Sequence, residues 1–189
     1  MKKDVKNSVE IQGDQVVKAF VVGNRRGRRF RRERLALERL KGIDGIPELY
    51  AHDQNSLTMT MERIPGRSFE QAGDMDDDFF IRLGELVEAM LKRGVARHSM
   101  PARDVIIRPD GTPGLVDYER VTLRHVRYSP VWGLSRMISR FHLLRFIGNH
   151  RPDLLTPAQK RKLEWQLKGQ RLFRRWIEWR RRHFVEPWR

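Results

Sequence analysis

Apolar and polar positions alternate through Ser8-Val9-Glu10-Ile11-Gln12, and apolar character resumes in Val16-Val17-Lys18-Ala19-Phe20-Val21. This pattern predicts two short strands turning at Gly13-Asp14. Gly23 to Gly27 read as a basic loop. From Arg31 to Leu40 the spacing becomes helical, with Leu35, Leu37 and Leu40 apolar, and Gly42 to Pro47 end that helix. Glu48–His52 and Leu57–Glu62 predict two further strands around Asp53-Gln54-Asn55-Ser56, and Arg63-Ile64-Pro65-Gly66-Arg67 reads as a linker. Residues 76–93 carry an amphipathic stripe of Phe79, Phe80, Leu83, Leu86, Val87, Met90 and Leu91. Asp74, Asp76, Asp77 and Asp78 sit at its start, where the helix dipole favours negative charge.

Val105–Ile107 and Gly114–Val116 predict two short strands joined by the turn Pro109-Asp110-Gly111. Trp132 to Phe146 reads as a helix. Thr156-Pro157 is an N-cap and first-turn pair for another, running to about residue 183, with Leu163, Leu167, Phe173, Trp176 and Ile177 as its apolar stripe. Those aromatics are expected to pack the last helix onto the domain, with Trp179 and Trp188 best suited to an interfacial role. The order of elements predicts an α+β fold. A small sheet lobe with one helix spans residues 1–62, a hinge 63–67, and a helical lobe 68–189. No internal repeat is evident.

The chain has 189 residues, enough for one domain with a buried core, and 39% hydrophobic content argues against disorder. There is no cysteine, which excludes a disulfide framework, a thiol nucleophile and a cysteine-ligated metal. Met1 to Asn7 lead into no apolar run, so no secretory signal is expected, and no stretch is apolar enough to predict a transmembrane helix. The net charge of +15 is concentrated. Residues 25–41 hold nine Lys/Arg against two Glu, and residues 156–189 hold eleven against three. Two such patches point to a polyanionic partner: an anionic glycolipid or membrane surface, or nucleic acid. Arg25–Arg34 and Arg171–Arg182, interleaved with Phe30, Phe173, Trp176 and Trp179, have the composition of a nucleic-acid binder, which steep salt dependence would reveal. The lipid reading is preferred. Oligomeric state leaves no mark in the sequence.

The chemistry concentrates in Arg97-His98-Ser99-Met100-Pro101-Ala102-Arg103-Asp104-Val105-Ile106-Ile107, followed by Val116-Asp117-Tyr118-Glu119-Arg120. The layout is similar to the catalytic and metal-binding loops of a protein-kinase-like fold: His-Arg-Asp, four residues, Asn, a strand, a turn, a strand, Asp-Phe-Gly. Ser99 stands where the catalytic aspartate belongs and Asp104 where the metal-binding asparagine belongs, while Asp117 is retained. Asp117 at a strand end is placed to hold Mg²⁺ bridging phosphates, and Asp104 is a candidate second ligand. Lys18 is the one lysine inside an apolar strand and the candidate to grip ATP phosphates, with Glu33 as its partner and Glu38 in reserve. Glu62 opens the hinge and joins the nucleotide-binding candidates. A hydroxyl cannot replace a carboxylate base at neutral pH, so His98 is the substitute candidate beside Ser99. Only Gly13 precedes Lys18, and the turn consumes it, so the glycine-rich phosphate loop is missing: either the sheet lobe is truncated, nucleotide binding is weak, or the true start lies upstream.

These residues resemble the bacterial lipopolysaccharide core kinases, including the 3-deoxy-D-manno-octulosonic acid and heptose kinases. That family shows Asp-x-x-Arg in place of Asp-Phe-Gly. Here Asp117-Tyr118-Glu119-Arg120 precedes Leu123-Arg124, and Trp132-Gly133-Leu134-Ser135-Arg136 to Arg140 is similar to its Trp…Asn-Leu-x-Arg-Leu segment. The resemblance covers about residues 8 to 145. It implies ATP- and Mg²⁺-dependent transfer to a sugar hydroxyl of lipid-linked core oligosaccharide, in the cytoplasm at the inner-membrane face. Arg120 and Arg124 are then substrate-binding candidates. A chain of this shape without turnover, a pseudokinase binding a membrane or protein, is the alternative.

Overall fold

The computed structural model describes residues 7–21, 23–72, 75–126 and 128–184, with residues 173–174 and 181–184 described by backbone alone. Asp74 and Trp188 lie outside the described residues. Strands β1 (Ser8–Gln12) and β2 (Gln15–Ala19) form a hairpin whose turn places Gly13 at φ +63°. With β3 (Leu49–Asp53) and β4 (Thr58–Glu62) they make an antiparallel sheet in the order β1-β2-β4-β3. Between β2 and β3 runs α1 (Arg26–Leu40), burying Phe30, Glu33, Ala36, Leu37 and Leu40. The helix begins five residues earlier than its leucines announce and takes in Gly27, which the sequence reading put in a loop. A single aromatic, Phe30, anchors that basic first half. It is fully buried and meets Phe20 edge-on at 5.7 Å, so no apolar repeat was there to read.

After the linker, β5 (Arg67–Ser68) pairs with β7 (Val105–Ile107), which pairs with β8 (Pro113–Leu115). Gly66 enters β5 at φ +127°, and a Cβ there would meet the Ile107 carbonyl oxygen at 2.0 Å. Both conformation and space therefore demand glycine. Gly66→Ala is expected to cost about 1–3 kcal/mol and lower Tm by about 3–10 °C in thermal unfolding. An unchanged Tm would show that the hinge can shift freely.

Helix α2 (Phe69–Ala72) leads to α3 (Asp77–Lys92), capped by the Asp76 carboxylate accepting the Phe79 N–H at 3.0 Å. Strand β6 (Val95–Arg97) pairs with β9 (Val121–Leu123), bringing the two chemically suggestive loops side by side. Neither β6 nor β9 was read from the sequence: both are three residues long, and no short turn joins them as Pro109-Asp110-Gly111 joins the predicted Val105–Ile107 and Gly114–Val116 runs, the second of which lies one residue earlier as β8. Helix α4 (Pro130–His150) is capped by Ser129. Phe69 lies buried among Phe79, Phe80 and Phe146, with ring centroids 5.0–5.9 Å away, and ties α2, α3 and α4 together.

Helix α5 (Pro157–Phe184) starts in a capping box: Thr156 Oγ1 accepts the Gln159 N–H and Gln159 returns a bond to the Thr156 N–H. Leu163 packs over Gly148 of α4. Among the described side chains, the aromatics of this helix are only partly packed onto the domain. Trp165 is 80% exposed, and Trp176 and Trp179 are about half exposed. A 28-residue helix spans about 42 Å, longer than the 21-residue α4 against which it packs.

Candidate active site

Strand β2 is central in its sheet, and α1 covers it. Lys18 therefore ends up buried rather than on a surface edge, 7% exposed. Its ammonium donates to both Glu33 oxygens, at 3.0 and 2.8 Å, and to Asp117 Oδ1 at 3.0 Å. Glu33 lies in the apolar face of α1 at 1% exposure, and its Oε1 also accepts the Tyr118 N–H at 3.4 Å. Burial works against the Lys18 ammonium, but the two carboxylates outweigh it and raise its pKa. Burial pushes the Glu33 carboxyl above its ordinary value, with Lys18 acting in the opposite sense.

Asp117 follows β8 in a left-handed conformation, φ +65°. A non-glycine residue adopts this backbone at a cost of about 1–2 kcal/mol, so the surrounding structure must hold it there. Two contacts do so: the Val116 N–H donates to the Asp104 carbonyl at 3.0 Å, and the Val116 carbonyl accepts from Arg97. The Asp117 side chain remains 41% exposed. Burial opposes its charge, yet Lys18, then Arg97, hold its carboxyl below the usual range.

Arg97 was missed by the sequence reading. It is 3% exposed and donates to the Val116 carbonyl (2.9 Å), Asp104 Oδ2 (3.0 Å) and the Ser99 carbonyl (3.3 Å), with its guanidinium 5.3 Å from the Tyr118 ring. One side chain thus locks the Ser99 loop to the Asp117 loop. An arginine directly after the apolar pair Val95-Ala96 was the available signal. Glu119 was also missed: it is buried and accepts from Asn7 and Arg29, joining the Asp117 loop to α1.

His98 Nε2 and Thr122 Oγ1 are 2.7 Å apart, and the His98 N–H donates to the Arg120 carbonyl. Burial, then the Arg32 charge, lower its pKa and so favour the neutral ring. Ser99 is half-buried, and among the described residues its hydroxyl has no hydrogen-bond partner. Asp104 is mostly buried and paired with Arg97; burial raises its pKa against that arginine's pull, and Asp117 is close enough to add to the rise. Arg120 is exposed, 3.9 Å from Glu119, and Arg124 lies over Trp132 at 5.9 Å. Glu62 accepts the Glu48 N–H at 3.1 Å at the end of β4 and has no contact with the Lys18 group. Glu38, the reserve partner, pairs with Arg34 on the outside of α1.

The geometry thus gathers Lys18, Glu33 and Asp117 into one cluster, with Asp104 beside it and Ser99 and His98 on the adjoining loop. Solved structures of WbdD share this arrangement of a small sheet and following helices. The 2.2 Å structure superposes with a TM-score of 0.57 at 16% identity, over 75% of this chain and 35% of that one. A complex of WbdD with the kinase inhibitor LY294002 gives 0.56 at 17% identity, over 87% and 40%. The fold is kinase-like. WbdD is described as a bifunctional kinase-methyltransferase, and this chain spans about two fifths or less of its length. At such identity the likeness concerns the fold alone. No protein-family model matches the chain, and no curated protein matches it.

The donor set suits magnesium. Mg²⁺ is bound through one or two carboxylates, with phosphate and water oxygens completing its shell. Asp117 keeps one oxygen outside its Lys18 bond and is partly exposed, and Asp104 is close enough to interact with it. Among the described residues there is no cluster of three or more His, Cys, Asp or Glu, so no all-protein metal cage competes with that arrangement. Among the described residues, no helix is long and apolar enough to cross a membrane.

Proposed function

We propose that this chain is a phosphotransferase of the lipopolysaccharide-kinase type, moving the γ-phosphate of ATP to a sugar hydroxyl of a lipid-linked oligosaccharide at the cytoplasmic face of the inner membrane. The observation that carries this reading is the Lys18 ammonium held between Glu33 and Asp117. A buried lysine fixed by one carboxylate and aimed at a second, strained one is poorly explained by stability alone. It is the arrangement that positions a polyphosphate.

In this reading Glu33 fixes Lys18, and Lys18 orients the phosphates. Asp117, with Asp104, would hold Mg²⁺, which supplies charge neutralisation across the phosphates when bound. The acceptor oxygen forms a bond to the γ-phosphorus as the bond to the β-phosphate oxygen breaks and ADP leaves. The hydroxyl proton passes to a phosphate oxygen or water, since Ser99 offers no base. Arg97 keeps the two loops in register, and Arg120 faces the anionic acceptor.

The second reading, a pseudokinase, rests on Ser99 and on the commitment of Asp104 to Arg97. The deciding experiment is thermal unfolding with and without Mg-ATP, for wild type and Asp117→Ala. Ligand at about 100 times Kd stabilises by about 2.7 kcal/mol. A rise in Tm for wild type that Asp117→Ala lacks is expected. No rise in either protein would remove the nucleotide site from the proposal.

A further inference from the structure

Seven arginines lie on α1, and they divide into two groups. Arg26 donates to the Val21 carbonyl, Arg29 to Glu119, Arg34 to Glu38, and Arg39 to the Gly94 and Arg124 carbonyls. Among the described residues Arg28, Arg31 and Arg32 have no hydrogen-bond or ion-pair partner. Their i, i+3, i+4 spacing puts them on one face of the helix. All three line a groove of about 580 Å³ between α1 and the stretch running from β9 into α4.

Among the described residues no acidic side chain lines that groove; His125 adds a further nitrogen, and Leu35, Leu123 and Trp132 give it an apolar floor. Val131 in its lining and Leu134 beside it, on the first turns of α4, stand 64% and 53% exposed. Three uncompensated guanidinium groups around an apolar floor are complementary to a phosphate carried on an apolar body. A site for a free phosphate would have no use for the exposed apolar residues beside it.

We propose that this groove binds the phosphate of an anionic membrane lipid, with the headgroup on Arg28, Arg31 and Arg32 and with Val131 and Leu134 entering the bilayer interface. The inference deepens the proposed function by naming the surface that meets the membrane, and it rests on that reading only in taking the acceptor to be membrane-held. The place is consistent with a membrane-held acceptor. Thr122, which lines the groove, holds His98, and Arg32 precedes Glu33 in α1.

The test is co-sedimentation with phosphatidylcholine vesicles, with and without phosphatidylglycerol, alongside titration with inorganic pyrophosphate. The variant Arg28→Gln/Arg31→Gln/Arg32→Gln should keep its Tm, because those side chains have no hydrogen-bond or ion-pair partner among the described residues. Each cation near an anionic surface contributes roughly fivefold in affinity, so the triple variant should bind phosphatidylglycerol vesicles about 100-fold more weakly. A charge-matched control outside the groove, Lys41→Gln/Arg67→Gln/Lys92→Gln, should lose less than about fivefold. Val131→Ser/Leu134→Ser should weaken vesicle binding and leave the pyrophosphate titration unchanged. Asp117→Ala should bind vesicles like wild type, which separates failure here from failure of the nucleotide site. Equal losses in the two triple variants would reduce the effect to general basicity and overturn the proposal. So would absence of vesicle binding, vesicle affinity indifferent to Val131→Ser/Leu134→Ser, or tighter groove-dependent binding of a single-stranded oligonucleotide than of vesicles.

Discussion

Lys18→Met is expected to destabilise the protein by about 3–5 kcal/mol, because it leaves Glu33 buried without its counter-charge. Glu33 is 1% exposed and its remaining bond is a 3.4 Å contact from the Tyr118 N–H. Removing Lys18 also removes the contribution that lowers the Glu33 pKa, so burial drives that pKa higher still. The sign of the pH dependence follows. A carboxyl whose folded pKa is raised destabilises the fold increasingly as pH rises above its unfolded value of about 4.3. The gap between wild type and Lys18→Met should therefore narrow toward pH 4 and widen toward pH 8 in denaturant titrations. In wild type the Asp117 contribution runs the other way, present above about pH 3.9 and lost as pH falls through its lowered folded pKa. The Lys18 contribution is complete below about pH 10.5 and is lost as pH rises through its raised folded value. The double variant Lys18→Met/Glu33→Leu should recover most of the loss, since an apolar pair of similar volume replaces the ion pair at little net cost. A pH-independent gap below about 1 kcal/mol would mean that water reaches Glu33 and that the pair is not closed.

Ser99→Asp is expected to raise phosphotransfer by about 10²–10⁴-fold, the usual worth of a general base, while Ser99→Ala changes it little. The prediction depends on position. Ser99 follows β6, its carbonyl is held by Arg97, and its hydroxyl makes no bond that the substitution would break. A carboxylate there would stand on a loop already locked to Asp117. Single-turnover phosphotransfer to a lipid-linked oligosaccharide acceptor reads the effect directly, with Asp117→Ala as the inactive reference. A Ser99→Asp protein that gains nothing, while still showing the Mg-ATP shift in Tm, would place the chain among pseudokinases.

Both expectations draw on residues legible in the sequence. Lys18 stands out in an apolar strand, Glu33 in a helix that follows it, and Asp117 at the end of a third apolar run. The spacing from Ser99 to Asp104 to Asp117 is a property of the chain itself. What could not be read was commitment. The sequence offered Glu38 beside Glu33, and only the orientation of α1 puts Glu33 inside and leaves Glu38 with Arg34 at the surface. Asp104 looked like a free metal ligand, but the fold gives one of its oxygens to Arg97. Glu62 stands among the nucleotide-binding candidates in the sequence, and the fold gives its carboxylate the backbone N–H of Glu48, just before β3.

The sequence by itself determined the longer helices and the first sheet's strands, the α+β class, the basic segments and the identity of the clustered charges. Local periodicity, turn residues and composition encode these, and each is a short-range property of the chain. The tertiary structure alone decided that Arg97 would be the buried clasp between two loops, that Glu119 would tie back to α1, and that three of seven arginines on α1 would face a groove without partners. Those outcomes depend on which long-range neighbours arrive within hydrogen-bond distance. A charged side chain's role is set by what desolvates and pairs it, and neither is written in its local sequence.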